Sequence, residues 1–158
     1  MEVKERHSAG ISTVTQIDFG DTDDTTGGMY LPGVSNNAYS FQKWLRLSVT
    51  TENLAASPAV YSDGSNDFGT GIKIWAAAAD SFTSPIEPST ADDPPKLDGV
   101  PMVDFFTYTV GSPLQLDDGI AVSSGEFGKW LVLVAEVENT ASTGLKVGED
   151  IIFQWIEA

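Results

Sequence analysis

The sequence predicts an all-β fold: an antiparallel β-sandwich, jelly-roll-like, with long loops rich in Gly, Pro and Asp. Short runs of β-branched and aromatic residues alternate with turn-forming residues along the chain. No longer window shows the helical spacing of apolar residues without an interrupting Gly or Pro. The length of 158 residues suits one domain. We therefore expect an N-terminal arm at residues 1–9 and a single sandwich domain at residues 10–158.

The stretch from Trp130 to Val137 is predicted to be the central strand. Its apolar side chains occur at both odd and even positions. A strand with one face in water alternates between apolar and polar residues, whereas a strand covered on both faces does not. We therefore expect other parts of the chain to cover both faces of this strand.

The remaining elements follow the same patterns. Residues 1–9 are polar and predict an arm that lies on its own domain or on a neighbour. The prolines between 84 and 101 remove backbone donors, which predicts a long surface connection. Strands are predicted at 11–19, 41–50, 72–77, 103–110 and 150–157, with shorter apolar pieces at 29–33, at 120–122 and, as an edge strand, at 60–61.

Composition excludes several classes of function. The formal charge is −15, from 23 acidic and 8 basic residues, so nucleic acid and anionic membranes are poor partners. There is no cysteine, which excludes disulfides and thiolate metal sites. The charged start of the chain does not resemble a signal peptide, and no apolar run approaches the ~20 residues that span a bilayer.

The residues for catalysis are sparse, and we expect no enzymatic activity. His7 is the only histidine and lies in the predicted arm, which leaves no Ser–His–Asp or Cys–His arrangement. Carboxylate pairs occur at 23–24, 92–93 and 117–118, in polar loops where such groups stay solvated and ionised. A hydrolase, the alternative, would depend on Asp92 and Asp117. No glycine-rich phosphate loop is present.

No cofactor is expected, and calcium is the alternative. Asp63 and Asp67 in one loop, and Asp21 and Asp23 in another, offer oxygen ligands at short spacing. Neither loop matches an EF-hand, since Phe68 stands where that motif has glycine. Asp, Asn and Gly are also the standard turn-forming residues, so the favoured interpretation is that these loops are turns.

The tryptophans are predicted to lie in the core or in contacts with other proteins. All of them fall in predicted strands beside aliphatic residues, and buried aromatic residues dominate cores and interfaces. The alternative is a carbohydrate-binding module in which exposed rings stack on sugars. The tryptophans are Trp44, Trp75, Trp130 and Trp155.

Three segments resemble small structural proteins of tailed bacteriophage virions. They are SFQKWLRL at 40–47, GIKIW at 71–75 and IFQWIE at 152–157. Members of this group are similar to one another in an aromatic and basic strand, a following IKIW-like strand and a chain that stops on its last strand. The resemblance covers about the last three quarters of the chain. It implies an all-β component of the capsid exterior, neck or tail, with no catalytic residues, assembled in the host cytoplasm.

The function expected from this resemblance is that of a capsid decoration or cement protein. Such a protein would bind the major capsid protein or other virion proteins from outside, as a homo-oligomer, and a negative charge suits that outer position. Trp44 and Arg46 share one face of their strand, and Trp and Arg are enriched where binding energy concentrates. We expect these residues, with Arg6 of the arm, to contact the partner. The alternatives are a neck or tail component and a carbohydrate-binding sandwich.

Overall fold

The computed structural model describes residues 1–20, 23, 37–50, 54–89, 92–142 and 148–157. Within these ranges the protein is all-β apart from one turn of 3-10 helix, which confirms the predicted fold class. The strands are β1 (Glu2–His7), β2 (Gly10–Val14), β3 (Ala38–Tyr39), β4 (Lys43–Val49), β5 (Ala55–Tyr61), β6 (Ile72–Ala79), β7 (Lys96–Leu97), β8 (Val100–Pro101), β9 (Val103–Asp104), β10 (Leu114–Gln115), β11 (Gly125–Val137) and β12 (Ile152–Glu157).

The strands form two main antiparallel sheets and one small hairpin. Sheet A has the order β2-β1-β4-β11-β6-β9, with β3 also paired to β11. Sheet B has the order β10-β5-β12, and β7 pairs with β8 alone. Side chains of sheets A and B pack together in a common core, which is the arrangement of a β-sandwich. The jelly-roll-like connectivity stays a prediction.

Strand β11 lies at the centre of sheet A, between β4 and β6, and is covered on both faces as predicted. Leu131 and Leu133 point toward sheet B and have no exposed surface. Val132 and Val134 point to the opposite side and are equally buried. Burial on both faces explains why apolar residues occupy both parities of this strand.

Apolar side chains fill the space between the two sheets. The larger group joins β4, β6 and β11 of sheet A to Val60 of β5, Leu116 and Phe105. A second group lies at one end of the sandwich and joins Phe127 of β11 to Ala55 of β5. Phe153 of β12 packs against both groups, so the last strand closes the same core.

A proline-rich segment covers the outer face of sheet A, the face turned away from sheet B. We call it the cover segment; its described residues are 80–89 and 92–102. Leu97, Met102 and Phe82 of this segment pack on Trp44 and Trp130 of sheet A. The segment was predicted to be a surface connection, but it also contains the β7–β8 hairpin, whose turn residues Asp98 and Gly99 have φ of 50° and 81°. Two positive φ values are typical of the tight turns that join hairpin strands.

The predicted N-terminal arm is corrected by the structure, because residues 2–7 form strand β1 inside sheet A. β1 pairs with β2 on one side and with β4 on the other. Its polar sequence is compatible with a sheet because Glu5, the inward carboxylate, forms an ion pair with Lys43 of β4 at 3.2 Å. Both side chains are only 2% exposed.

Four shorter predictions also need correction. The strand predicted at 11–19 corresponds to β2, which ends at Val14. The strand predicted at 103–110 ends at Asp104, whose side chain accepts a hydrogen bond from Phe106 N at 3.0 Å and begins a 3-10 helix at Phe105–Thr107. The edge strand predicted at 60–61 belongs to β5, which is the middle strand of sheet B. The piece at 120–122 contributes only an isolated bridge between Val122 and Ala55. The piece predicted at 29–33 lies outside the described residues.

Strand β11 contains a β-bulge where it passes Gly128. Its register with β4 shifts between Phe127 and Leu131. Gly128 has φ of 75°, and a Cβ atom there would lie 2.4 Å from Pro58 Cγ and 2.7 Å from the Leu116 oxygen. Only glycine fits this position, because the left-handed backbone and the close neighbours both exclude a side chain.

Candidate functional site

Two of the residues predicted to bind a partner, Arg6 and Arg46, lie above a group of aromatic rings on the outer face of sheet A. The guanidinium carbon of Arg6 is 4.4 Å from the centroid of the Phe82 ring. That of Arg46 is 5.4 Å from the Trp130 ring. Arg6 is directly opposite Trp44, the third predicted residue, in the pairing of β1 with β4. We call this surface the Arg–aromatic face; it consists of Arg6, Arg46, Trp44, Phe82 and Trp130.

The three rings of this face contact one another edge to face or at a tilt. Phe82 lies 5.4 Å from Trp44 and 5.7 Å from Trp130, measured between centroids. The prediction that Trp44 contacts a partner is corrected, because its side chain has no exposed surface in this fold. Trp44 instead supports Phe82, which the sequence pattern did not indicate because Phe82 lies in a loop three residues before Pro85 rather than in a predicted strand.

Arg46 is already engaged within the molecule. Its Nε donates a hydrogen bond of 2.7 Å to the Gly128 oxygen at the bulge. Its terminal nitrogens lie 3.7 Å from an Asp118 carboxylate oxygen and 3.8 Å from one of Glu126. The Arg46 side chain is 23% exposed, so most of it serves to hold β4, β11 and the loop after Leu116 together.

Arg6 differs from the other basic residues of the described chain. Each of the others has a carboxylate oxygen within 3.7 Å, whereas Arg6 is exposed and has no such partner among the described residues. The contact with Phe82 favours this position of the guanidinium, since a cation over a ring is attracted by the electron density of its face. The result is an exposed guanidinium above an aromatic ring, on a protein with 23 acidic residues.

A second polar group lies under the cover segment at Glu136, which is completely buried. Its carboxylate accepts hydrogen bonds of 2.6 Å from Asn37 Nδ2 and 2.6 Å from Trp75 Nε1. Burial, and then the Glu136 charge, raise the pKa of the neighbouring Tyr39 phenol well above its usual range. The hydrogen bonds within the protein account for the burial of Glu136 and for the position of Trp75. Sequence reasoning missed Glu136 because a lone Glu at a strand end looks like a solvated residue.

Two of the residues considered for calcium, Asp63 and Asp23, accept hydrogen bonds from nearby backbone groups. Asp63 Oδ1 accepts from Ser65 N at 2.8 Å, which is a turn formed by a side chain. Asp23 Oδ2 accepts from Ser8 N at 2.8 Å, and Asp21 lies outside the described residues. Within the described ranges no group of three or more His, Asp or Glu side chains is arranged to hold a metal ion.

Glu149, which the sequence analysis missed, lies beside the turn that contains Asp63 and Asp67. Its carboxylate accepts hydrogen bonds from Asp67 N and from Phe68 N, the latter at 3.2 Å. Burial is the main cause that raises the pKa of Glu149, and the charges of Asp67 and Asp63 raise it further. The backbone donors act in the opposite direction but do not offset these causes.

A raised pKa predicts the sign of a pH effect on stability. The folded state holds the Glu149 proton more tightly than the unfolded state, so Glu149 stabilises the fold at acidic pH. That contribution is lost as pH rises through the folded-state pKa, which lies above 4.5. Glu149→Gln cannot ionise at this position, so we expect it to avoid this loss. Its free energy of unfolding should exceed that of wild type by up to about 1 kcal/mol between pH 5 and pH 7, as measured by urea unfolding.

Glu138→Gln is the contrasting variant for this measurement. A hydrogen bond from Lys73 lowers the pKa of Glu138, so its contribution is present at pH 7 and is lost as pH falls below 4.5. Glu138→Gln should therefore be less stable than wild type at pH 7, with a difference that disappears in acid. If the two variants shift the pH profile in the same direction, the assigned causes are wrong.

The carboxylate pairs considered for hydrolysis take part in turns and surface contacts. Asp117 Oδ1 accepts from Gly119 N at 2.8 Å, and Asp118 Oδ1 accepts from Ile120 N at 3.1 Å. Asp92 forms an exposed ion pair of 2.7 Å with Lys96. These contacts are those of turn-forming and surface carboxylates.

The fold therefore defines the chain as an all-β protein of two packed antiparallel sheets. No family model matches the sequence, and comparison with curated proteins and with solved structures found no significant match. In the part of the chain that the structure describes, no helix has the length and apolar character needed to cross a membrane.

Proposed function

We propose that this protein is a non-enzymatic structural protein that binds another protein through its Arg–aromatic face. The observation that carries the proposal is Arg6: an exposed arginine, positioned on a phenylalanine ring, with no carboxylate partner in the described chain. An arginine of this kind can bind a partner's carboxylate without first breaking an internal ion pair. The rings beneath it provide the rigid support that is typical of residues on which binding energy concentrates.

At a finer level we propose a virion protein that decorates and cements the outside of a tailed-phage capsid. The resemblance of three strand segments to such proteins supports this, as does the charge of −15, which disfavours a surface packed against DNA. The partner is then the major capsid protein or another virion protein, with an acidic group positioned to reach Arg6. The protein acts by adhesion, so it needs no cofactor.

The test is a comparison of phage particles that carry this protein with particles from which it has been deleted. A cement protein raises the temperature at which particles release their DNA, so we expect deleted particles to rupture at a lower temperature. Equal rupture temperatures would contradict cementing. Labelled protein distributed over the shell supports decoration, whereas a label at one vertex assigns the neck or tail. Binding to a glycan array would instead favour a carbohydrate-binding module.

The contact itself is tested by Arg6→Glu. We expect this variant to bind particles roughly 30-fold more weakly or worse, as expected when a central arginine of an interface is removed. Lys96→Glu is the matched control, because it makes the same change of charge on an exposed residue of the hairpin that already has an internal partner. Binding is measured by sedimentation with deleted particles. Equal losses in both variants would mean that net charge, not the Arg–aromatic face, governs binding.

A further inference from the structure

Strand β12 presents a long open edge. It is the last strand of sheet B, paired with β5 on one side only, and no described strand pairs with its other side. With six residues, β12 is longer than β2, β9 and β10, the strands at the other sheet ends. Unpaired backbone donors and acceptors along such an edge are a template for pairing with another strand.

The edge carries few of the features that usually prevent such pairing: its one charged residue is Glu157 at the strand end, and its pairing with β5 shifts register once, between Gln154 and Ile156. Its sequence, IFQWIE, contains no lysine, proline or glycine. Phe153 and Trp155 point inward and pack on the core between the sheets. Ile152, Gln154 and Ile156 therefore point outward, and Ile156 is 61% exposed. Pairing with a second strand would cover part of this exposed isoleucine.

Within β12, residues 152–156 are symmetric in chemical character about Gln154, with an isoleucine at each end and an aromatic residue on either side of the glutamine. In an antiparallel pair of two β12 strands centred there, Gln154 of one copy lies opposite Gln154 of the other. Ile152 then lies opposite Ile156, and Phe153 lies opposite Trp155, each pair occurring twice. Such self-complementarity is what a two-fold interface requires, because the same surface is used by both copies.

We propose that two copies of this chain associate through antiparallel pairing of their β12 strands about Gln154. The two B sheets then form one continuous sheet of six strands, in the order β10-β5-β12-β12-β5-β10. The Glu157 carboxylates of the two copies lie roughly 20 Å apart, at about 3.4 Å per residue, so they do not oppose the pairing directly. Because each copy carries a charge of −15, added salt strengthens the dimer. The pairing does not depend on the proposed virion function.

Mass measurement of the full chain by light scattering, at low and moderate salt, is the first test. We expect a dimer whose dissociation constant falls as salt rises. Ile156→Lys places a charge opposite Ile152 of the other copy and should raise the dissociation constant at least tenfold. Ile11→Lys on β2 is the matched control, since Ile11 is also exposed, at 45%, on an open edge of the other sheet. A monomeric wild type, or equal effects of the two variants, would overturn the proposal.

Cross-linking tests the register. The chain has no cysteine, so a single introduced cysteine is an unambiguous reporter. Gln154→Cys should form a disulfide between copies on mild oxidation, because only the central residue lies opposite itself. Ile156→Cys and Ile11→Cys should not. A disulfide through Ile11→Cys, or none through Gln154→Cys in a dimeric protein, would place the interface elsewhere.

Discussion

Replacing Lys43 by Met is expected to lower the free energy of unfolding by about 3–5 kcal/mol at pH 7. The ammonium group lies 3.2 Å from Glu5, and both side chains are only 2% exposed. Burial already raises the pKa of Glu5, even though Lys43 acts to lower it. Without the lysine, the Glu5 carboxylate has to remain charged in an apolar environment or take up a proton. The loss should therefore be smaller at pH 5 than at pH 7 in urea unfolding.

A double variant separates the value of the ion pair from the cost of breaking it. In Glu5→Leu with Lys43→Met, no uncompensated charge remains, so most of the lost stability should return. Lys96→Met is the control at an exposed pair, where the lysine is 44% exposed and its partner Asp92 is 38% exposed. That variant should cost less than about 1 kcal/mol. If the double variant is as unstable as Lys43→Met alone, the loss comes from packing rather than from charge.

Gly128→Ala is expected to lower the free energy of unfolding by about 2–4 kcal/mol, from backbone strain and overpacking together. Its Cβ atom would lie 2.4 Å from Pro58 Cγ and 2.7 Å from the Leu116 oxygen. The neighbouring Lys129 N donates to that same oxygen at 2.5 Å, so the oxygen cannot withdraw without losing a hydrogen bond. Arg46 binds the Gly128 oxygen as well, and displacement of the bulge would disturb the Arg–aromatic face.

Gly119→Ala isolates the backbone contribution to that effect. Gly119 has nearly the same φ, 77°, but a Cβ atom there meets nothing within 4 Å. We expect this variant to cost about 1 kcal/mol, the penalty of a left-handed backbone alone. Chemical denaturation of both variants gives the difference directly. Equal costs at the two glycines would show that the contacts around the bulge adjust freely.

The apolar pattern along the chain was enough to predict the centre of the fold. Apolar residues at both odd and even positions of Trp130–Val137 indicated a strand covered on both faces, and β11 is such a strand. The alternation in 41–50 likewise located β4, and the run from Ile72 located β6. These predictions succeed because burial on a sheet face depends on side-chain period, which is a local property.

Features that depend on distant partners escaped prediction. β1 looked like a solvated arm because nothing in the residues around Glu5 indicates that Lys43 will neutralise it, across 38 positions of sequence. From the sequence alone, Gly128 could mark a turn or a place where two backbone segments approach closely. Only the position of Pro58 in the folded protein distinguishes the two. At the candidate site, Arg6, Arg46 and Trp44 were predicted but Phe82 was not, because Phe82 reaches Trp44 only after the cover segment folds back over sheet A.

Because β11 is covered on both faces, its position also determines how the molecule can unfold. Water cannot reach this strand through the movement of one side chain. One of the two layers that cover it, the cover segment or sheet B, has to detach. On the outer side that layer is joined to the sheet by ring contacts and by few backbone bonds, such as the one from Gln42 N to the Ile86 oxygen at 2.9 Å. Detachment of that layer would be the partial unfolding with the lowest free-energy cost. The central strands of sheet A would unfold only together with the whole domain.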